Sequence, residues 1–206
     1  MEKIFNTFII PSIGRKSLKA SIESALKQSH YSTRVIVVFD NCRINKMVKD
    51  DRVIYLKSDK DVWGSGARNI GINYAVKNIN SEFISFLDDD GVVLDNFNKV
   101  LSDHKQYELI IHSIKFPFHS ANRRIIPLKS GKGIARGWMG IAMSVKTKIL
   151  KNKNIRFIPK GAADFEFAKS LIDNGVNHYK TGILTYIALR LGGTGIHTGK
   201  KTKKNN

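Results

Sequence analysis

The chain has 206 residues and carries 35 Lys and Arg against 17 Asp and Glu, a formal net charge of +18. One domain of this length buries roughly 70% of the surface that its unfolded chain exposes, so a hydrophobic content of 42% builds a core without staples. The single cysteine, Cys42, excludes an internal disulfide framework and fits a reducing compartment, and no apolar run approaches the ~20 residues that a membrane helix needs.

Lys3 to Ile10 has the composition of a strand, and Pro11 closes it because proline cannot donate to a ladder. The apolar part, Ile4 to Ile10, is interrupted by Asn6 and Thr7 and is too short and polar for the core of a signal peptide. From Ser17 the period becomes helical, with Leu18, Ile22, Ala25 and Leu26 on one face. Val35 to Phe39 is an uninterrupted apolar run, the pattern of a strand buried on both faces. Val53 to Leu56 is a shorter strand. Gly64 and Gly66 form the loop after it, Ala67 to Val76 is helical, and Phe83 to Leu87 is again a strand. This rhythm specifies an α/β sheet that is largely parallel, in which ligands bind outside the carboxyl ends of the strands. Those ends carry Pro11-Ser12, Asp40-Asn41 and Asp88-Asp89-Asp90.

The second half is more mixed. Strands are expected at Leu109 to Ile114, Arg124 to Pro127, Gly140 to Val145 and Tyr179 to Leu189, with a helix from Asp164 to Asp173 that ends before Gly175. Without a repeat or a linker, the chain is one domain followed by a basic tail containing Lys200, Lys201, Lys203 and Lys204. A charge of +18 implies an anionic partner: nucleic acid, an acidic membrane surface or a phosphorylated small molecule. At roughly 1 kcal/mol per lysine, the tail supplies about 4 kcal/mol toward anionic lipid, enough for weak peripheral contact but not for anchoring.

The acidic triplet is the sharpest local signal. In extended chain Asp88 and Asp90 point to one side, and two carboxylates so placed repel unless a cation lies between them. Hard oxygen ligands at an open rim suit Mg²⁺ or Mn²⁺; the plainer alternative is an acidic turn ending at Gly91. The dinucleotide fingerprint fails at Asn69, where its third glycine belongs. The P-loop pattern fails around Lys201, and a zinc site cannot be built on one cysteine and scattered histidines.

Phe8-Ile9-Ile10-Pro11-Ser12, Val35 to Asp40, Gly66-Ala67-Arg68-Asn69-Ile70-Gly71, Phe86 to Asp90, Gly137-Trp138-Met139-Gly140 and Ala163-Asp164-Phe165-Glu166-Phe167 follow one another in an order that resembles family-two glycosyltransferases of the GT-A fold. The resemblance implies a single α/β domain over residues 1–198, its mixed and mostly parallel central sheet flanked by helices. Residues 1–95 would form the nucleotide-sugar half, 96–198 the acceptor half and 199–206 the tail. It implies that Pro11, Ser12, Asp40, Arg68, Asp88 and Asp89 hold the donor, with Asp40 accepting from a uracil N–H. Asp90 would be the principal ligand of Mn²⁺ or Mg²⁺, joined by Asp88 and His197, with Arg190 or Lys200 as further cations near the phosphates. Trp138 and Met139 would face the acceptor, a glycan or a lipid-linked glycan. Asp164, or alternatively Glu166, would be the base of an inverting transfer, most simply from a UDP-sugar. The chain departs from the family pattern at Ile13-Gly14, at Asn41-Cys42 after Asp40 and at Ala163 before Asp164. A cytoplasmic location follows, peripheral to the membrane at most, and no nucleic-acid partner is expected. The competing reading is a non-catalytic nucleic-acid-binding protein, which the charge supports but which lacks a basic helix interleaved with stacking aromatics.

Overall fold

The computed structural model describes residues 2–28, 31–116, 125–159 and 161–189. Its first half alternates as the apolar periods require: β1 (Ile4–Ser12), α1 (Leu18–Leu26), β2 (Thr33–Asp40), β3 (Val53–Ser58), α2 (Trp63–Asn78) and β4 (Ser81–Phe86). The second half adds β5 (Gly91–Val93), α3 (Phe97–Asp103), β6 (Leu109–Lys115), β7 (Ile125–Ile126), β8 (Met143–Lys146), α4 (Thr147–Asn152), α5 (Ala163–Asp173) and β9 (His178–Ala188). The sequence reading passes over β5, α3 and α4, which are too short to display a period.

These strands form one sheet in the order β3-β2-β1-β4-β8-β6-β9-β5, with β7 added to β6. Pairing is parallel through β3-β2-β1-β4 and between β6 and β9, while β8, β5 and β7 pair antiparallel. The domain is therefore α/β with a mixed central sheet flanked by helices, as expected. From β1 the chain crosses through α1 to β2 on one side, and from β3 through α2 to β4 on the other. Right-handed crossovers in opposite directions place α1 and α2 on opposite faces. They also leave a switch point between the carboxyl ends of β1 and β4, where open α/β sheets bind ligands.

Two local expectations shift. Pro11 does not end β1: it stays in register opposite Val38 of β2. The Ile9 carbonyl accepts from Leu87 N–H (3.1 Å), so Pro11, two residues on, turns its missing donor to the same side, beyond the last residue of β4. Helix α2 begins before Gly64, because the Asp40 carboxylate accepts from Val62 N–H (2.9 Å) and satisfies a donor at the helix start from a neighbouring strand. Gly71 lets this helix lie against β1; a Cβ there would stand 2.5 Å from Ile9 Cγ2.

A polar seam crosses the otherwise apolar core. Asn6 donates to Asn98 (2.8 Å) and accepts from Ser85 (2.8 Å), and the Ser85 hydroxyl meets that of Ser144 (2.6 Å). The Ser144 hydroxyl in turn contacts His112 Nε2 (3.2 Å), and the His112 ring stacks on Phe97 at 4.2 Å. Burial, with a smaller contribution from His104, pushes the His112 pKa down to about 3. The unfolded chain therefore takes up this proton near pH 6.5 while the native state refuses it. Stability is expected to fall as pH drops from about 6.5 toward 3, with this histidine's share approaching ~1.4 kcal/mol per pH unit. Urea midpoints measured across that range check this, and His112→Phe should flatten the slope.

Candidate active site

Beyond Leu87 the chain leaves the ladder and turns, with Gly91 N–H donating to the Asp88 carbonyl (3.1 Å). Strand alternation therefore does not govern the acidic triplet, and its three carboxylates go to different places. Asp89 is buried. It accepts from the Ser12 hydroxyl (2.8 Å), from Ile13 N–H (3.2 Å) and from Arg15 Nη1 (2.5 Å). The Ser12 hydroxyl also accepts from Gly14 N–H (3.0 Å). Asp89 and Ser12, both expected against the donor, thus spend these groups tying the loop after β1 to the loop after β4, directly at the switch point. Pro11 is buried in the same floor.

Asp88 and Asp90 remain at the rim, with side chains 35% and 23% exposed. Each meets an arginine: Arg68 pairs with Asp88 Oδ1, and Arg15 Nη1 lies 3.5 Å from Asp90 Oδ2. Burial acts to lower the Arg68 pKa, but the charges of Asp88 and Asp164 and the hydrogen bond to Asp88 outweigh it, and the guanidinium is held above its usual value. The same balance, with Asp89 as the main partner, raises Arg15.

An aromatic block orients Arg68. Its guanidinium carbon stands 5.4 Å above the Phe157 ring, and Phe157 stacks on Phe167 of α5 at 3.9 Å. Phe86 meets both rings edge-on at 5.0 and 5.6 Å. Asn69 exchanges two hydrogen bonds of 2.9 Å with the Phe157 backbone. Arg68 and Asn69 are one residue apart on α2, so that helix places the cation and the ring beneath it together. Through Phe167 the block also fixes α5, whose first turn carries Asp164 and Glu166. The structure thereby brings Arg68, Asp88 and Asp164 to one side of the switch point.

Tyr186 of β9 abuts the acidic turn. Its buried phenol oxygen accepts from Asp88 N–H (3.1 Å), and a Cβ on Gly91 would stand 2.1 Å from that oxygen. Glycine is required there for contact, not for backbone freedom. Burial, reinforced by Asp88 and Asp90, keeps the phenol protonated well above its usual range.

Asp40 lies at the end of β2, largely buried, with Oδ1 occupied by Val62 N–H. Trp138 is 55% exposed, whereas Met139 is in the apolar core. Both line a cavity of about 330 Å³. Their loop precedes β8, whose Ser144 pairs with Ser85 of β4, so it reaches the rim end of the sheet. His197, Arg190 and Lys200 lie outside the described residues.

Among the described residues no cluster of three or more His, Cys, Asp or Glu side chains is placed to hold a metal. Asp88 and Asp90 offer two carboxylates, the number that Mg²⁺ takes when phosphates and water fill its remaining positions. By number and chemistry these two carboxylates suit a divalent ion shared with a phosphorylated ligand rather than an all-protein cage, and each of them also meets an arginine, Asp88 with Arg68 and Asp90 with Arg15.

Sequence reasoning missed Arg15, Phe157 and Tyr186. Arg15 was accessible in principle, lying four residues after Pro11 in a loop at a strand end. Phe157 and Tyr186 carry no local signal, since long-range packing alone gives them their roles.

No curated protein matches the chain. Among solved structures, that of S. aureus TarS 1-349 superposes with a TM-score of 0.69 at 15% identity, covering 90% of this chain and 60% of that one. TarS 1-349 in complex with UDP-GlcNAc gives 0.69 at 14% identity, with coverages of 96% and 62%. A further S. aureus TarS structure gives 0.68 at 14%, with 91% and 37%. The chain thus spans less than two thirds of each of these proteins, and at such identities the likeness is one of fold. The model of glycosyl transferase family 2 matches residues 7–171, the stretch that holds most of β1, the acidic turn, Arg68 and Asp164. The chain belongs to glycosyl transferase family 2.

Proposed function

We propose that this domain transfers a sugar from a nucleoside diphosphate donor, a UDP-sugar in the simplest case, to a hydroxyl of a glycan or lipid-linked glycan, with inversion at the anomeric carbon. The observation that carries this reading is the convergence of Asp88, Arg68 and the Asp164 turn of α5 at the β1/β4 switch point, within a chain of this family. The fold neighbour solved with UDP-GlcNAc supports a uridine nucleotide.

The reaction needs its leaving diphosphate neutralised and its acceptor deprotonated. Arg15 and Arg68 are fixed cations at the rim, positioned by Asp89 and by Phe157 before any ligand arrives, and prearranged charge of this kind lowers the barrier without reorganisation. Asp88 and Asp90 would hold Mn²⁺ or Mg²⁺, which when bound supplies further positive charge to the phosphates. Asp40 would accept from the uracil N–H through its second oxygen, above the floor made by Pro11 and Ser12. On the acceptor side Asp164, with Glu166 as the alternative, takes the hydroxyl proton as the new bond forms, a contribution of roughly 10² to 10⁴ in rate. Trp138 offers an indole face to the acceptor. We place the domain in the cytoplasm; among the described residues no helix is long and apolar enough to cross a membrane.

Incubation with a panel of nucleotide sugars and Mn²⁺ tests this. Release of nucleoside diphosphate from one donor class, with a product of inverted anomeric configuration by NMR, is the expected result. Release of a sugar phosphate, or retention of configuration, contradicts it.

A further inference from the structure

The positive charge is distributed unevenly. Residues 1–95 carry 14 Lys and Arg against 12 Asp and Glu, whereas residues 96–206 carry 21 against 5. Within that second part, residues 109–163 hold 12 Lys and Arg and no Asp or Glu at all. Lys148 of this stretch pairs with Glu108 at 3.6 Å, a partner just outside it. A protein that needs charge only for solubility has no reason to empty 55 consecutive residues of acid, because interspersed signs serve solubility as well.

The stretch includes the loop between β7 and β8. There Leu128 is 64% exposed and Trp138 55% exposed, and both line the cavity of about 330 Å³ together with Lys129 and Lys180. Lys132 and Arg136 are exposed on the same loop. Arg136 Nη2 donates to the Gly161 carbonyl (3.4 Å), three residues before Asp164, so the basic loop adjoins the turn that carries the candidate base. The surface is concave, apolar at its floor and cationic at its edge. A ring face stacks on an indole while an anionic group beside it meets the amines. A bilayer is flat on this scale and does not enter such a cavity.

Resting on the glycosyltransferase reading, we infer that the acceptor is a polyanionic glycan, carrying phosphate or carboxylate groups along its chain, and that the β7–β8 loop is its binding track. Donor and acceptor are thereby sorted by charge pattern. The donor's compact diphosphate goes to the rim with its paired carboxylates, and the extended anion goes to the stretch that has none. Such a field also steers encounter in a salt-dependent way.

The test uses the full chain with four probes: inorganic polyphosphate, polygalacturonate, neutral dextran, and vesicles of phosphatidylcholine with and without phosphatidylglycerol. UDP binding is measured in parallel. Polyphosphate, polygalacturonate or both should bind, with affinity falling about tenfold or more between 50 and 200 mM salt, and the stronger of the two identifies the anion. The triple variant Lys129→Glu, Lys132→Glu, Arg136→Glu should weaken that binding at least about tenfold, leaving UDP affinity and melting temperature unchanged. The equally charged control Lys19→Glu, Lys27→Glu, Lys77→Glu should change it less than about threefold. Equal losses in the two triples, dextran binding as tight as that of the polyanions, or binding confined to the phosphatidylglycerol vesicles would each overturn the inference. A wild-type chain that binds polyanions but no nucleoside diphosphate sinks the underlying transfer reading instead.

Discussion

Asp164→Asn is expected to reduce sugar transfer by roughly 10² to 10⁴ while leaving donor affinity within about twofold. The side chain sits in the first turn of α5, and its charge is felt at Arg68, yet the donor's rim is built by the turn after β4 and the loop after β1. A change at Asp164 therefore removes a proton acceptor without dismantling the phosphate site. Asparagine keeps the shape and the helix start but cannot take a proton at neutral pH. Glu166→Gln serves as the internal comparison, because Glu166 shares the turn but lies two residues on, about 200° around the helix and so on nearly the opposite face. Single-turnover rates with a fixed donor decide between them. A large loss in Glu166→Gln together with full activity in Asp164→Asn transfers the role to Glu166.

Arg68→Ala is expected to be the most destabilising single change at the site, by about 1–3 kcal/mol, the usual cost of leaving a hydrogen-bonding group without its partner, moderated here because Asp88 keeps 35% of its side-chain surface in water. The Arg68 side chain is 7% exposed and faces Asp88 while lying over Phe157. Its removal leaves a carboxylate near Asp164 without its cation and opens a gap above the aromatic block that seats α5. Arg68→Lys should recover part of the loss, since charge returns but the planar fork and its stacking do not. In an Asp88→Asn background the penalty of Arg68→Ala should shrink by about 1 kcal/mol or more, the signature of direct coupling. Urea denaturation of the four proteins measures this cycle; additive effects would show that Arg68 acts through packing alone.

Much of the first half was legible because its strands are uninterrupted apolar runs and its helices are amphipathic, patterns set by burial on two faces or one. The acidic triplet was visible for the opposite reason, as three carboxylates concentrated in a basic chain. What the sequence concealed was the division of labour inside the triplet. Alternation assigns Asp88 and Asp90 to one side, but Gly91 closes a local turn, and the inward hydrogen bonds of Asp89 depend on a loop 74 to 77 residues away. Tyr186, 98 residues from Asp88, escaped for the same reason. Ser12 and Asp89 were recognised by position, yet the structure gives these side chains to one another.

Transfer of this kind requires the switch point to bind a nucleoside diphosphate. Calorimetric titration of the intact chain with UDP, with and without Mn²⁺, tests it most directly. Saturable one-to-one binding that strengthens with Mn²⁺ and is lost on Asp88→Asn with Asp90→Asn is the expected result. Absence of binding for UDP and every other nucleoside diphosphate, with or without the ion, would contradict it.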